Sequence, residues 1–167
     1  MTFRNIIDDV DEFFPNASTF DEKLKFANNL AAIINKNYIK NTKTIEFAGG
    51  EVPSLPAGIT PDVVKNIYFD GKRQNGESVL SILGRAHGHN VVIEYTDVPT
   101  YHADDEIPVS APYDNLFLYY ILAFICLHTN DTDGYNTNMS IYSTYLKDYE
   151  NSMSQIEGET LRFTNLW

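Results

Sequence analysis

Apolar residues recur at three- and four-residue spacing along the first forty positions. Phe3, Ile6, Ile7, Val10, Phe13 and Phe14 are interleaved with Asp8, Asp9, Asp11 and Glu12, which predicts an amphipathic helix over residues 3–14. Pro15 stops it, because a proline ring disfavours helical backbone at the residue before it. Thr19 and Glu22 then stand at capping-box spacing and start a second helix. Leu24, Ala27, Leu30, Ala31, Ile34 and Tyr38 form its apolar face. Lys36 and Lys40 suit the negative end of its dipole, and Asn41 is the expected stop.

From Thr42 to Ser110 the period changes. "TIEFAGGEV" reads as a strand, a Gly-Gly turn and a second edge, and "LPAGITPDVV" as a loop. "VVKNIYF" runs into Asp70-Gly71, a strong hairpin signal. Val91, Ile93 and Tyr95 alternate with Val92, Glu94 and Thr96, as a half-buried strand requires. Four or five short strands are expected here.

The most apolar stretch follows: Leu116 to Leu127 has neither charge nor amide. As a helix it would rise about 18 Å, short of the roughly 30 Å of a bilayer core, so it is a core segment and not a membrane span. Its length, with Ala123 and Cys126 inside it, favours a helix over strands. Leu116, Tyr120 and Phe124 lie on one face and Leu118, Leu122 and Ile125 on another. Such a helix is central in its own bundle or sealed by a neighbouring subunit. "HTNDTDGYN" breaks it, and a last helix runs from about Tyr135 to Met153 through Met139, Tyr142, Leu146 and Tyr149. The expected fold is α+β. Residues 1–41 and 111–154 form a four-helix bundle-like core, residues 42–110 a β-rich insertion, and residues 155–167 an extended C-terminal arm.

The 167 residues suit one domain, and 43% hydrophobic content supplies a core. Twelve basic residues against twenty-three acidic give a net charge of −11. Such a chain repels nucleic-acid phosphates, which argues against a sequence-specific DNA or RNA binder. Cys126 is the single cysteine, so no internal disulfide is expected, and inside the apolar run it reads as a small buried residue. Acids interrupt what would be the apolar core of an export signal at the N-terminus, so none is expected.

Candidate chemistry is sparse. His87 and His89, with His102, Asp104 and Asp105 further on, could ligate zinc and serve a small metal-dependent hydrolase, but exposed turn histidines explain them more simply. Asp131 and Asp133 resemble the opening of a calcium loop, yet the glycine arrives at the fourth position and Tyr142 stands at the twelfth. Cys126 has no polar neighbour in sequence to activate it. No G-x-S-x-G and no phosphate-binding glycine loop is present. The expectation is a non-enzymatic chain without cofactor or catalytic metal.

"VDEFFPNASTFDEKLKFANNLAAIINKNY" resembles the opening of the head–tail connector adaptor proteins of tailed phages, also called head-completion or tail-tubular adaptors. The C-terminal stretch resembles that family's closing helix pair. Its quoted elements are Tyr113-Asp114-Asn115-Leu116, the apolar Tyr119-Tyr120-Ile121-Leu122-Ala123, and Tyr142, Tyr145, Leu146 and Tyr149. The resemblance spans about 80 residues at the two ends; the β-rich middle matches the family's variable insertion in position only. It implies a virion protein, assembled in the host cytoplasm, that forms a ring of about twelve copies between the portal and the tail. The ring would extend the channel through which DNA passes without specific binding. Its partners would be further copies of itself, the portal protein and a downstream tail or stopper protein. On that reading Leu116, Tyr119, Tyr120 and Phe124 serve subunit contacts. Leu161, Phe163, Leu166 and Trp167 anchor an arm that orders on binding or folds back on its own bundle. Another head–tail joining or tail-terminator ring protein is the alternative within the same class.

Overall fold

The computed structural model of the chain describes the backbone of residues 1–164 and the side chains of residues 1–155. In chain order the elements are α1 (Phe3–Phe13), α2 (Phe20–Ile34), β1 (Thr42–Phe47), β2 (Val64–Phe69), β3 (Lys72–Arg73), α3 (Val79–Gly84), β4 (Val91–Thr96), α4 (Asn115–His128) and α5 (Thr132–Thr164). The fold is α+β. The chain divides into a helical unit, residues 1–34 with 99–167, and a sheet unit, residues 35–98. The sheet unit begins seven residues earlier and ends twelve residues earlier than the insertion expected over 42–110.

In the helical unit, Thr2 caps α1. Its hydroxyl accepts from the Asn5 amide, and the Asn5 side chain accepts from the Thr2 amide. Two further amides at this end, those of Phe3 and Arg4, donate to the carbonyls of Asp105 and Ala103. The segment after Pro99 thus satisfies donors that a helix start leaves open. Phe3, Ile6, Ile7 and Val10 are fully or almost fully buried. Phe13, expected on the same stripe, is 73% exposed. It is the last residue of α1, where the chain leaves the helix into an extended Phe14. Phe14 is extended ahead of Pro15, with φ −142 and ψ 93, as the proline demands.

The capping box of α2 is formed as its sequence predicts. Glu22 accepts from the Thr19 amide at 2.8 Å, and Thr19 accepts in return. The buried face of α2 is Phe26, Ala27, Leu30, Ala31 and Ile34, together with Lys23. Lys23 is 3% exposed and ion-pairs with Asp11 of α1. A charge this deeply buried persists because it is paired.

Helix α4 packs against α1, α2 and α5. Leu116, Phe117, Ile121, Ala123 and Ile125 lose all exposure. The helix that is apolar all round is therefore covered by the chain's own helices along most of its length. It ends in a Schellman turn: Asn130 takes a left-handed φ of 59, and the Asp131 amide reaches back to the Cys126 carbonyl at 2.8 Å. Asp131 then caps α5 by accepting from the Gly134 amide at 2.9 Å. Helix α5 starts three residues earlier than expected and continues to Thr164. Residues 155–164, expected as part of an extended arm, are helical, because neither Gly158 nor any proline stops a run of good helix formers.

The sheet unit opens with a wide π turn over Asn35–Ile39, closed by the Lys40 amide on the Asn35 carbonyl, after which Lys40 turns at φ 52. The sheet is antiparallel throughout, in the order β1-β4-β2-β3. Asp70 (φ 49) and Gly71 (φ 79) form the two-residue hairpin that the sequence predicts between β2 and β3. Ile67, Phe69, Val91 and Ile93 line one face and pack with Ile82 and Ala86. On the other face Glu94 accepts from Asn66 at 2.7 Å and from the Tyr68 hydroxyl at 3.3 Å. The second edge expected after Gly49-Gly50 is a single bridge between Gly49 and Glu51. The short helix α3 was not expected; Ser78 caps it by accepting from the Ser81 amide.

Candidate functional site

The residues proposed from the sequence as partner contacts behave differently from one another. Leu116 is fully buried and Tyr120 is 8% exposed, both within the chain's own helical unit. Tyr119 and Phe124 are half-buried. Tyr119 stacks on Tyr145 of α5 at 5.8 Å, and Phe124 stacks on Phe26 of α2 at 5.4 Å. Leu161 and Phe163 fall on the helical backbone of α5, and their side chains lie outside the described residues. Leu166 and Trp167 lie wholly outside them.

An aromatic seam runs between α4 and α5. Tyr120 meets Phe124 at 4.7 Å and Tyr142 at 5.4 Å; Phe124 meets Tyr135 edge-on, and Tyr113 meets Tyr149 at 5.2 Å. Such pairs add about 0.5–1.5 kcal/mol each beyond their buried area. Burial, with Tyr120 beside it, pushes the Tyr142 hydroxyl up to about 12. Burial also raises the hydroxyls of Tyr120 and Tyr149. Burial thus favours the neutral hydroxyl of each of these tyrosines.

The other sequence candidates resolve into local structure. Burial, then the nearby Asp131 carboxylate, raises the Cys126 thiol, which disfavours a thiolate. Asp131 is engaged as the cap of α5. In the helical unit, the His102 amide donates to Asp105 at 2.6 Å, and Asp104 pairs with Arg4 at 2.7 Å. In the sheet unit, His87 is exposed in a turn, and His89 pairs with Asp70. Among the described residues, no three His, Cys, Asp or Glu side chains gather where they could hold a metal ion.

One arrangement was missed by sequence reasoning. The His89 ring lies parallel to Phe69, 8° between planes and 5.2 Å between centroids. Its Nδ1 is 2.6 Å from Asp70 Oδ2, while Asp70 Oδ1 accepts from the Asn90 amide at 3.0 Å. Hydrogen bonding to His89 and Asn90 holds the Asp70 carboxyl below its ordinary range. The hairpin tip is thereby clipped to the turn at 87–90, and an open cleft of about 360 Å³ forms beside it. Phe69, Asp70, Lys72, Gln74, Arg85 and His89 line that cleft. The hairpin at Asp70 was legible, but its partner stands 19 residues away, beyond any local pattern.

Charge is divided unevenly between the units. The helical unit has five basic residues against sixteen acidic, and the sheet unit seven against seven. The whole net charge of −11 thus belongs to the helical unit. No helix among the described residues is long and apolar enough to cross a membrane. In comparisons with known proteins, no family model and no curated protein matches the chain.

Proposed function

We propose that the chain is a structural subunit of a tailed-phage virion, a ring adaptor between portal and tail that lengthens the DNA channel. The observation that carries the reading is the charge division: all of the net negative charge sits in the helical unit. An acidic wall lets a DNA duplex slide past, because it offers the phosphates no counter-charge to replace their ions. The helices α1, α2, α4 and α5 are read as a bundle-like core from which the sheet unit is inserted. The resemblance of the two chain ends to connector adaptors agrees with that layout.

The same unit leaves large apolar side chains open. Phe13 is 73% exposed, Leu127 48% and Ile33 38%. They suit burial against further copies or a portal surface, as the apolar anchors of an interface require. Half-buried Tyr119 and Phe124 add to them. Leu116 and Tyr120 are already covered and support the bundle from inside. The segment Leu161 to Trp167 is proposed as the portal-binding arm. In this role the chain needs no cofactor and performs no catalysis.

The test is electron microscopy of the chain mixed with its cognate portal ring. The reading expects a collar of density under the portal, weakened when residues 159–167 are deleted. If the full-length chain adds no density, the reading fails; if the deleted chain binds as well as the full chain, the arm assignment fails.

A further inference from the structure

We infer that the cleft beside the Asp70–His89 clip binds a small phosphate-type oxyanion. In a chain of net charge −11, this cleft gathers Lys72, Arg85 and His89 around an opening of about 360 Å³. That size falls at the lower end of the range of small-molecule sites, about 300–1,000 Å³. The two acids nearby are occupied. Asp70 spends one oxygen on His89 and the other on the Asn90 amide. Glu77 faces one guanidinium nitrogen of Arg85 at 2.9 Å, which leaves the rest of the planar donor fork for another acceptor. The Lys72 ammonium has no ion-pair partner among the described residues.

The ring of His89 is fixed on both sides that matter. Phe69 holds its plane and Asp70 engages Nδ1, so Nε2 on the opposite edge is its remaining polar atom. Gln74 is anchored by its own side chain, whose Nε2 donates to the Lys72 carbonyl at 3.0 Å, and this ties the strand after the hairpin into shape. The Arg85 guanidinium fork at the end of α3 and the Lys72 ammonium on β3, with the His89 ring lining the same cleft, suit a tetrahedral oxyanion with several acceptor oxygens. A carboxylate would use fewer of these donors. The ligand is therefore a phosphate group, from a free phosphomonoester or from a nucleic-acid backbone.

The test is nuclear magnetic resonance of the full chain titrated with inorganic phosphate, following the ring signals of His89 and, as a control outside the cleft, His87. The inference expects a saturable shift of His89 with His87 unmoved. Lys72→Gln and Arg85→Gln should each raise the midpoint at least about tenfold, the effect of losing a charge-assisted hydrogen bond. Should Arg85→Gln lose the fold along with its Glu77 contact, Lys72→Gln carries the test, since no ion pair is removed with it. A mononucleotide that competes with phosphate where an oligonucleotide lacking terminal phosphates does not points to a phosphomonoester. The reverse points to a phosphodiester backbone. Equal, unsaturating shifts of both histidines, or a folded Lys72→Gln chain with an unchanged midpoint, would overturn the inference.

Discussion

Lys23 has a side chain only 4% exposed, whereas its partner Asp11 is 47% exposed. Removing the carboxylate leaves an ammonium buried without compensation. Asp11→Ala should cost about 2–3 kcal/mol in urea unfolding, less than the roughly 3–5 of a fully buried pair because Asp11 is half in water. Adding Lys23→Met to that change should recover most of the loss, since an apolar chain of similar length fills the same space. If Asp11→Ala alone is neutral, the pair is not what keeps Lys23 inside. Neither partner betrays this role in sequence, where Asp11 is one of four acids interleaved with the apolar residues of α1.

A second ion pair sets a pH dependence. Hydrogen bonds from the Lys36 ammonium and then the Thr60 hydroxyl lower Asp62 from 3.8 to about 2. A carboxylate depressed in the folded state contributes stability that is complete above its unfolded value and is lost as pH falls through the folded one. The difference in melting temperature between the parent and Asp62→Asn should therefore hold steady above about pH 5 and shrink between about pH 4 and 2. A difference that does not vary with pH would contradict the assignment.

At the scale of elements, α4 and the turn after it set the sharpest contrasts. Ile121 is fully buried and Leu127 is 48% exposed. Ile121→Ala should cost about 3 kcal/mol and Leu127→Ala about 0.5 or less. Comparable losses would mean that α4 is not the central helix of the isolated chain. Gly134 offers a reversal of ordinary expectation. Glycine to alanine inside a helix normally stabilises by about 0.5–1 kcal/mol. A Cβ there would stand 2.2 Å from the Asp131 carboxylate oxygen and 2.8 Å from Cys126 Sγ. The cap must move or the thiol must yield, so Gly134→Ala should lower the melting temperature, and Cys126→Ala in the same chain should soften that loss. A stabilised single variant would show that the turn relaxes freely.

The elements legible in sequence are those with long periodicity or strong punctuation. The period of α1, the Thr19–Glu22 box, the Asp70-Gly71 turn and the apolar run of α4 each specify their structure locally. Helix α3 was hidden because six residues are too few to reveal a helical period amid turn residues. The strand pairing of β1 with β4 joins residues about fifty positions apart, and nothing local encodes it.

At the scale of the whole molecule, the asymmetry of charge is the feature that composition alone conceals. A net charge of −11 suggests a uniformly acidic surface, yet the sheet unit is balanced and carries a basic cleft. The acidic face proposed for a channel and the cleft proposed for an oxyanion therefore belong to different units, and each can fail without the other. The candidate cleft escaped the sequence because it depends on Asp70, Arg85 and His89 meeting through the fold of the sheet unit.

The central claim is assembly. Its most direct test is the molar mass of the purified 19.0 kDa chain by light scattering, alone and with its cognate portal ring. Either a free ring or a monomer that joins the portal in about twelve copies is expected. A chain that stays monomeric and adds no mass to the portal would contradict it.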